Sequence, residues 1–336
     1  MAFPPPPTDS IDWSDIGFRV REVNGHVESH YSVHTGVWTA PEFVVSPYLS
    51  IHGLAPGLNY GQQCYEGLKT FRSPDDRSIH LFRPAMNARR MQHSASFVAM
   101  PAPPEQLFLD AVNMAVAGNA EFVPPHASGA SMYVYVLPVG VYHGIHPVNC
   151  LILETFDRAA PHGTGSAKIG GNYAPVLRHS EAARKAGYGI TLHLDSQTRT
   201  MIDEFSTSGF LGIRETTPKP TLVVPDSSSV ISSVTSSSVQ QIAEGWGWKV
   251  EVRKVRLEEL ETFTEVMAAG TAASLVPVKS VVMESTGLKV VYCEGEEPGP
   301  RVVQLLKELK GIQTGVVEDR FGWLVKVAEV KGGKAP

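Results

Sequence analysis

The stretch Ala167–Pro175, AKIGGNYAP, sets one lysine ahead of two glycines and a tyrosine at the start of a helical pattern. A lysine becomes a nucleophile near neutral pH when burial or neighbouring positive charge helps it shed its proton. Glycines beside it let backbone approach a flat ligand closely. Taken alone the segment has a plainer reading, because most lysines are solvated surface groups. Its surroundings decide between the two.

Downstream, a helical pattern runs from Tyr173 to Ala186 and is followed by strand GITLHLD (Gly189–Asp195) and strand TLVVP (Thr221–Pro225). A helix from Thr235 to Trp246 and strand KVEVRKV (Lys249–Val255) come next. Strand and helix alternating in this way predict an α/β domain. The serine-rich run SSSVISSVTSSS (Ser227–Ser238) is either a flexible linker or a loop ending in a helix N-cap. Val230, Ile231 and Val234 interrupt the serines and a helical pattern follows at once, which favours the capped loop. Upstream, HVESHYSVHTGVW and RSIHLFR read as short strands, and PEQLFLDAVNMAVAGNAEF places Leu107, Phe108, Ala111 and Ala115 on one helical stripe. Gly and Pro crowd PVGVYHGIHP (Pro138–Pro147), where periodicity fails. The expected organisation is therefore a disordered arm (1–20), a small α/β domain (21–137), a linker (138–146) and a larger domain (147–336).

With 336 residues, of which 43% are hydrophobic, the chain can fill a core in each domain. The net charge of −5 comes without a basic patch, so nucleic acid is not an expected partner. No apolar stretch approaches the roughly 20 residues that cross a bilayer, so no membrane span is expected. The start, MAFPPPPTDSIDWSDIG, lacks a basic leader, and the three cysteines are odd in number and far apart. Both features point to a reducing, cytoplasmic setting, and no metal-ligand spacing is present.

Six segments, in order along the chain, carry a more specific likeness. They are LNYGQQCYEGLKTFR (Leu58–Arg72), LFRPAMNARRMQHSA (Leu81–Ala95), FDRAAPHGTGSAKIGGNY (Phe156–Tyr173), MIDEFSTSGFLGI (Met201–Ile213), AAGTAASLVPV (Ala268–Val278) and GIQTGVVEDRFGWL (Gly311–Leu324). Together the chain resembles the branched-chain aminotransferase family, in its fungal form. These are the class IV, fold-type IV enzymes that depend on pyridoxal 5′-phosphate. The resemblance implies a small α/β domain plus a larger α/β pseudobarrel domain, assembled as a homodimer. It also implies a ping-pong reaction moving the amino group of a hydrophobic, branched-chain amino acid to 2-oxoglutarate.

The same resemblance assigns roles. Lys168 would carry the cofactor as a Schiff base and act as general base and acid between the substrate Cα and the cofactor. Glu204 would keep the pyridine nitrogen protonated, and Tyr173 would bond the phenolic oxygen. Arg90, Val234, Thr235 and Thr271 would hold the phosphate, the helix N-terminus at Val234 and Thr235 through its backbone N–H groups. Arg89 and Arg90 are adjacent, and exchange of their parts is the alternative. Tyr60 and Tyr65 would wall the substrate side chain, unless they are ordinary core aromatics. Gly270, Thr271 and Ala272 would form the turn that takes the substrate carboxylate.

The sequence departs from the family pattern near Tyr133, where SMYVYVLPVGVY passes almost directly into the interdomain connection. A block that includes a strand is expected to be missing, and with it an arginine, since Tyr135 follows Tyr133-Val134. Gly209 stands where many relatives have asparagine, and AAGTAASLVPV lacks the paired cysteines of some animal relatives. A specialised biosynthetic aminotransferase, a lyase of the same fold type, and an inactive short form that binds only the cofactor or a partner subunit are the competing readings.

Overall fold

The computed structural model describes residues 2–16, 21–128, 131–133, 137–139, 146–272 and 274–330. The chain divides into two compact units, Met1–Tyr142 with Lys310–Pro336, and His143–Leu309. Among the described residues no helix is long and apolar enough to cross a membrane.

In the first unit, β1 (Lys69–Arg72), β2 (Ile79–Phe82), β3 (Ser131–Tyr133) and β4 (Leu137–Val139) belong to one antiparallel sheet beside the helices α1 (Pro84–Phe97) and α2 (Glu105–Gly118). Its core gathers Leu68, Ile79, Leu81, Val112, Val116 and Met132, the last three brought in by α2 and β3. β3 and β4 pair at Ser131–Val139, Met132–Pro138 and Tyr133–Leu137. Pro138 and Val139 therefore belong to a strand and not to the expected linker. β4 lies at the edge of the sheet, where a proline lacking its N–H costs no ladder bond. The expected departure at Tyr135 and the rest of the join, residues 134–136 and 140–145, lie outside the described residues.

The second unit is built on β5 (Val148–Ile152), α3 (Leu177–Lys185), β6 (Ile190–Leu194), β7 (Ile202–Phe205), β8 (Ser208–Arg214), β9 (Thr221–Pro225), α4 (Val234–Gly245), β10 (Lys249–Arg253), β11 (Glu265–Gly270), β12 (Ser274–Met283) and β13 (Leu288–Val291). The strand order is β7-β6-β5-β12-β11-β8-β9-β10, with β13 on β12 and an additional pairing of β7 with β8. That last pairing, Glu204 opposite Gly209 and Phe205 opposite Ser208, closes β5, β6, β7, β8, β11 and β12 into a ring. Cys150, Ile152, Leu192, Phe205, Phe210, Val266, Ala268, Val276 and Val278 share one core cluster. By strand alternation, Thr191, His193, Glu204 and Ser206 take the opposite face.

The expected helix from Tyr173 begins instead as two short 3-10 turns, Gly170–Asn172 and Ala174–Val176, and becomes α-helical only at Leu177. Pro175 lacks the N–H that an uninterrupted helix needs past its first turn. The serine-rich run ends as expected in a capped helix, the Ser236 N–H donating to Ser233 Oγ at 3.1 Å.

Two domain boundaries differ from the sequence reading. Helix α5 (Pro300–Gln313) leads out of the second unit, and β14 (Leu324–Lys326) pairs with β2 through Leu324–Phe82, Val325–Leu81 and Lys326–His80. Residues from Lys310 onward thus belong to the first unit, because the free edge of β2 supplies their hydrogen-bond partners. The arm is also ordered over residues 2–16. Thr8 N–H donates to Glu121 O at 2.8 Å, Phe3 packs on the first core, and Ile16 is buried. Arg72, fully buried, explains the arm's docking. Its guanidinium donates to the carbonyls of Pro5 (2.8 Å), Ala120 (2.8 Å), Val123 (2.9 Å) and Asp76 (3.2 Å).

Replacing that hub with an apolar side chain leaves buried carbonyls without donors, each a cost of roughly 1–3 kcal/mol. Arg72→Met is expected to lower stability by about 3 kcal/mol and to expose the arm to proteases, read by urea unfolding and by the rate of N-terminal cleavage. An arm that stays protected in this variant would show that Arg72 does not hold it.

Candidate active site

Lys168 lies in the long connection between β5 and α3, which is held by its own side chains. Asn172 Nδ2 donates to the carbonyls of Thr164 (2.6 Å) and Ala167 (2.9 Å), and Thr164 Oγ1 donates back to Asn172 Oδ1 (2.9 Å). Gly165 is a glycine by necessity, since a Cβ there would collide with the backbone carbonyl of Ser229. Gly165 thus serves the packing of this connection against the Ser229 loop, whereas a Cβ at Gly171 would meet open space.

This clamp sets Lys168 Nζ 3.3 Å from the Tyr173 hydroxyl, to which it donates, and 5.0 Å from the ring centroid. The Arg158 guanidinium lies 5.7 Å from the centroid of the same ring. It meets Glu204 at 2.5 Å between Nη1 and Oε1, with the two side chains only 3% and 5% exposed. Burial pushes the Glu204 carboxyl up to about 7, against the opposing pull of Arg158, the Ile231 N–H and Lys168. Neither Glu204 Oε1 nor Arg158 Nε has a well-aligned hydrogen bond among the described residues. Lys168 and Tyr173 from one motif and Glu204 from another are thereby linked through Arg158, a residue the sequence reading left without a role.

On the strand face that carries Glu204, His193 Nε2 and Ser206 Oγ are hydrogen-bonded at 2.8 Å, and Ser206 Oγ also bonds Thr191 Oγ1. Burial, reinforced by the Arg158 charge, pushes His193 down to about 3, so its imidazole is neutral. No sequence signal marked this layer. Its residues are one step apart in register across β6 and β7, which only pairing reveals.

Val234 and Thr235 begin α4 and are buried. Their N–H groups fall in the first turn, which has no intrahelical acceptors and carries the positive end of the helix dipole. Glu204, Gly209, Ser232, Ser233 and Ser236 line a cavity of about 300 Å³ beside this turn. The absent side chain at Gly209 contributes to that space, as its Cβ would sit 3.7 Å from the Cβ of Ser233. At the tip of the β11–β12 hairpin lie Gly270, Thr271 and Ala272, and Ser274 pairs with Gly270 in a left-handed conformation with φ of 61°. The buried Ser274 hydroxyl has no hydrogen-bond partner among the described residues.

The remaining assigned residues belong to the first unit. Arg90 is buried in a two-pronged ion pair with Glu66, Nε–Oε1 at 2.6 Å and Nη2–Oε2 at 2.8 Å, and Asn87 Nδ2 also donates to Glu66 Oε2 at 2.8 Å. Arg89 points outward and pairs with Glu105 at 3.2 Å. Of the two arginines, Arg90 is therefore the internal one. Tyr65 is half-buried, and Tyr60, just past a short helix at Pro56–Asn59, is 90% exposed, so Tyr60 is not a core aromatic.

Residues 63–281 match the family model described as amino-transferase class IV. The aminotransferase poxL of Penicillium oxalicum is 50% identical over 97% of this chain and 96% of its own length. That alignment spans 351 positions, more than the 336 residues present here, so the relative holds residues with no counterpart in this chain. The branched-chain amino acid aminotransferase gloG of Glarea lozoyensis is 47% identical over 97% of this chain and 99% of its own. Among solved structures, the branched-chain amino acid aminotransferase of Thermobaculum terrenum in its PLP-form superposes with a TM-score of 0.66 at 19% identity, over 83% of this chain and 94% of its own. At that identity the likeness is one of fold.

The Glu66–Arg90 pair carries a stability prediction of its own. Truncating one partner of a buried ion pair leaves the other charge uncompensated, at a cost of roughly 3–5 kcal/mol. Glu66→Ala should lower the urea midpoint accordingly, while adding Arg90→Met should restore much of the loss. A midpoint unchanged in Glu66→Ala would mean that solvent reaches Arg90 and screens it.

Proposed function

The chain belongs to the class IV amino-transferase family, and on that premise we propose that it transfers the amino group of a branched-chain or similar hydrophobic amino acid to 2-oxoglutarate. The cofactor is pyridoxal 5′-phosphate. The observation that carries the reading is the placement of the Lys168 amine 3.3 Å from the Tyr173 hydroxyl, with both linked through Arg158 to the buried Glu204. The donor set suits this cofactor: an amine for its aldehyde, a phenol beside that amine, a buried carboxylate held by a guanidinium, and a helix N-terminus for its phosphate.

When bound, the cofactor supplies a ring that accepts the electron pair left on the substrate Cα after deprotonation. Lys168 would hold it covalently and, once freed by the substrate amine, its Nζ would carry the proton between the substrate Cα and the cofactor's former aldehyde carbon. Tyr173 orients Nζ, and its hydroxyl is the donor for the cofactor's phenolic oxygen. Glu204 would stand against the ring nitrogen as its counter-ion. The N–H groups of Val234 and Thr235 would take the phosphate, together with Thr271. Gly270, Thr271 and Ala272 offer the turn for the substrate carboxylate. Two half-reactions share these groups in turn, so the kinetics are ping-pong. The preference for a branched-chain substrate is supported by the name that gloG carries.

A second copy of the chain is part of this reading. Tyr48, Leu49, Ile51, Leu54, Leu58 and Tyr60 are all more than half exposed within one short stretch of the first unit, Leu54 at 82%. A strip of that kind marks an association surface. The cytoplasm is the proposed setting, supported by three free cysteines, two of them buried.

Borohydride reduction followed by peptide mapping should find the cofactor on Lys168, and Lys168→Ala should lose transamination while keeping the fold. Turnover by Lys168→Ala with a 2-oxo acid acceptor would refute the assignment. Separately, Leu49→Glu with Leu54→Glu is expected to yield monomers by light scattering, and an unchanged mass would remove the strip from the proposed interface.

A further inference from the structure

We propose that Arg158 is the positioning residue of this site, holding the Glu204 carboxyl in place and favouring its ionised form, ready to face the cofactor's ring nitrogen. The inference rests on the function proposed above and concerns a residue which that function does not itself require.

Burial by itself disfavours the charged form of Glu204, and a carboxylate in so dry a place persists only beside a cation. The charged groups that face it are Arg158 and Lys168 from the connection between β5 and α3, and Asp203 on its own strand, with the Ile231 N–H reaching it from the loop before α4. Lys168 is committed to the cofactor in the working enzyme, and Asp203 acts in the opposite sense. That leaves Arg158, in direct contact at 2.5 Å, as the permanent counter-charge. Its own freedom is small. The guanidinium is enclosed by the Tyr173 ring and the Gly165 carbonyl, the latter at 3.5 Å.

The layer behind supports this arrangement. His193 lies close enough to feel the Arg158 charge and is neutral, bonded to Ser206. A protonated imidazole there would repel Arg158 and compete for Glu204. A neutral one leaves a single cation matched to a single carboxylate. The chemical consequence concerns one proton shared between Glu204 and a ring nitrogen. A guanidinium against the carboxylate makes its oxygens weaker bases, so the proton resides on the ring, the form that accepts electrons.

The test reads Glu204 directly in full-length protein freed of cofactor, from the infrared band of its protonated carboxyl as pH is varied. Absence of the band in Glu204→Gln assigns it. Arg158→Gln should move the titration midpoint upward by about one unit or more, a tenfold change in acidity, and Arg158→Lys should restore most of it. Should the Gln variant not fold, Arg158→Met keeps the buried stem and removes the charge. In the loaded enzyme the acid limb of kcat should rise with the midpoint, so that the deficit of Arg158→Gln shrinks as pH increases. A folded Arg158→Gln or Arg158→Met protein with an unshifted midpoint overturns the proposal. The infrared result is independent of cofactor attachment: failure to find cofactor on Lys168 would instead defeat the proposed function.

Discussion

A carboxylate removed from water must be met by a cation or lose its charge, and the second unit is organised around satisfying that constraint at Glu204. The pairing of β7 with β8 both closes the strand ring and turns Glu204 away from its apolar core. The long connection after β5, clamped by Asn172 and pressed against the serine-rich loop at Gly165, then brings Arg158 onto the carboxylate. The same connection carries Lys168. Geometry that neutralises Glu204 is thus the geometry that places the Lys168 amine, and neither can shift without disturbing the other.

The first unit shows the same physics used for a different end. Arg72 spreads its charge over four backbone carbonyls and so ties arm, sheet and α2 together, while Glu66 and Arg90 answer each other inside the unit. Of these charged side chains, Arg90 alone is read from the sequence as part of a site. Packing shows what each one contacts first. β4 lies at the rim of its sheet, where it needs hydrogen bonds on only one side.

Much of the site is legible in the residue order because its chemistry needs particular side chains in local patterns. A lysine next to glycines and a tyrosine, an acidic residue in IDEFSTSG, a capped helix after a serine run and a GTA turn each occupy a few consecutive residues. Arg158 and His193 escape such a reading because their partners are distant in sequence. Arg158 meets a carboxylate on β7, and His193 meets Ser206 across a strand pair, so no spacing in the chain announces either contact. The order of the arm is hidden for a related reason: prolines and aspartates suggest disorder, but backbone carbonyls at Pro5 and Glu121 find donors that composition does not encode.

By itself the sequence determined the fold class and the family and singled out Lys168 as the candidate for the cofactor, because periodicity and short motifs are local consequences of residue order. Only the tertiary structure decided where the units divide, that the segment after Lys310 returns to the first sheet, and which cation stands against Glu204. Those outcomes depend on edges and charges that meet after the chain has folded back on itself. Hydrogen bonding and charge compensation between distant residues select among arrangements that the linear order leaves equally open.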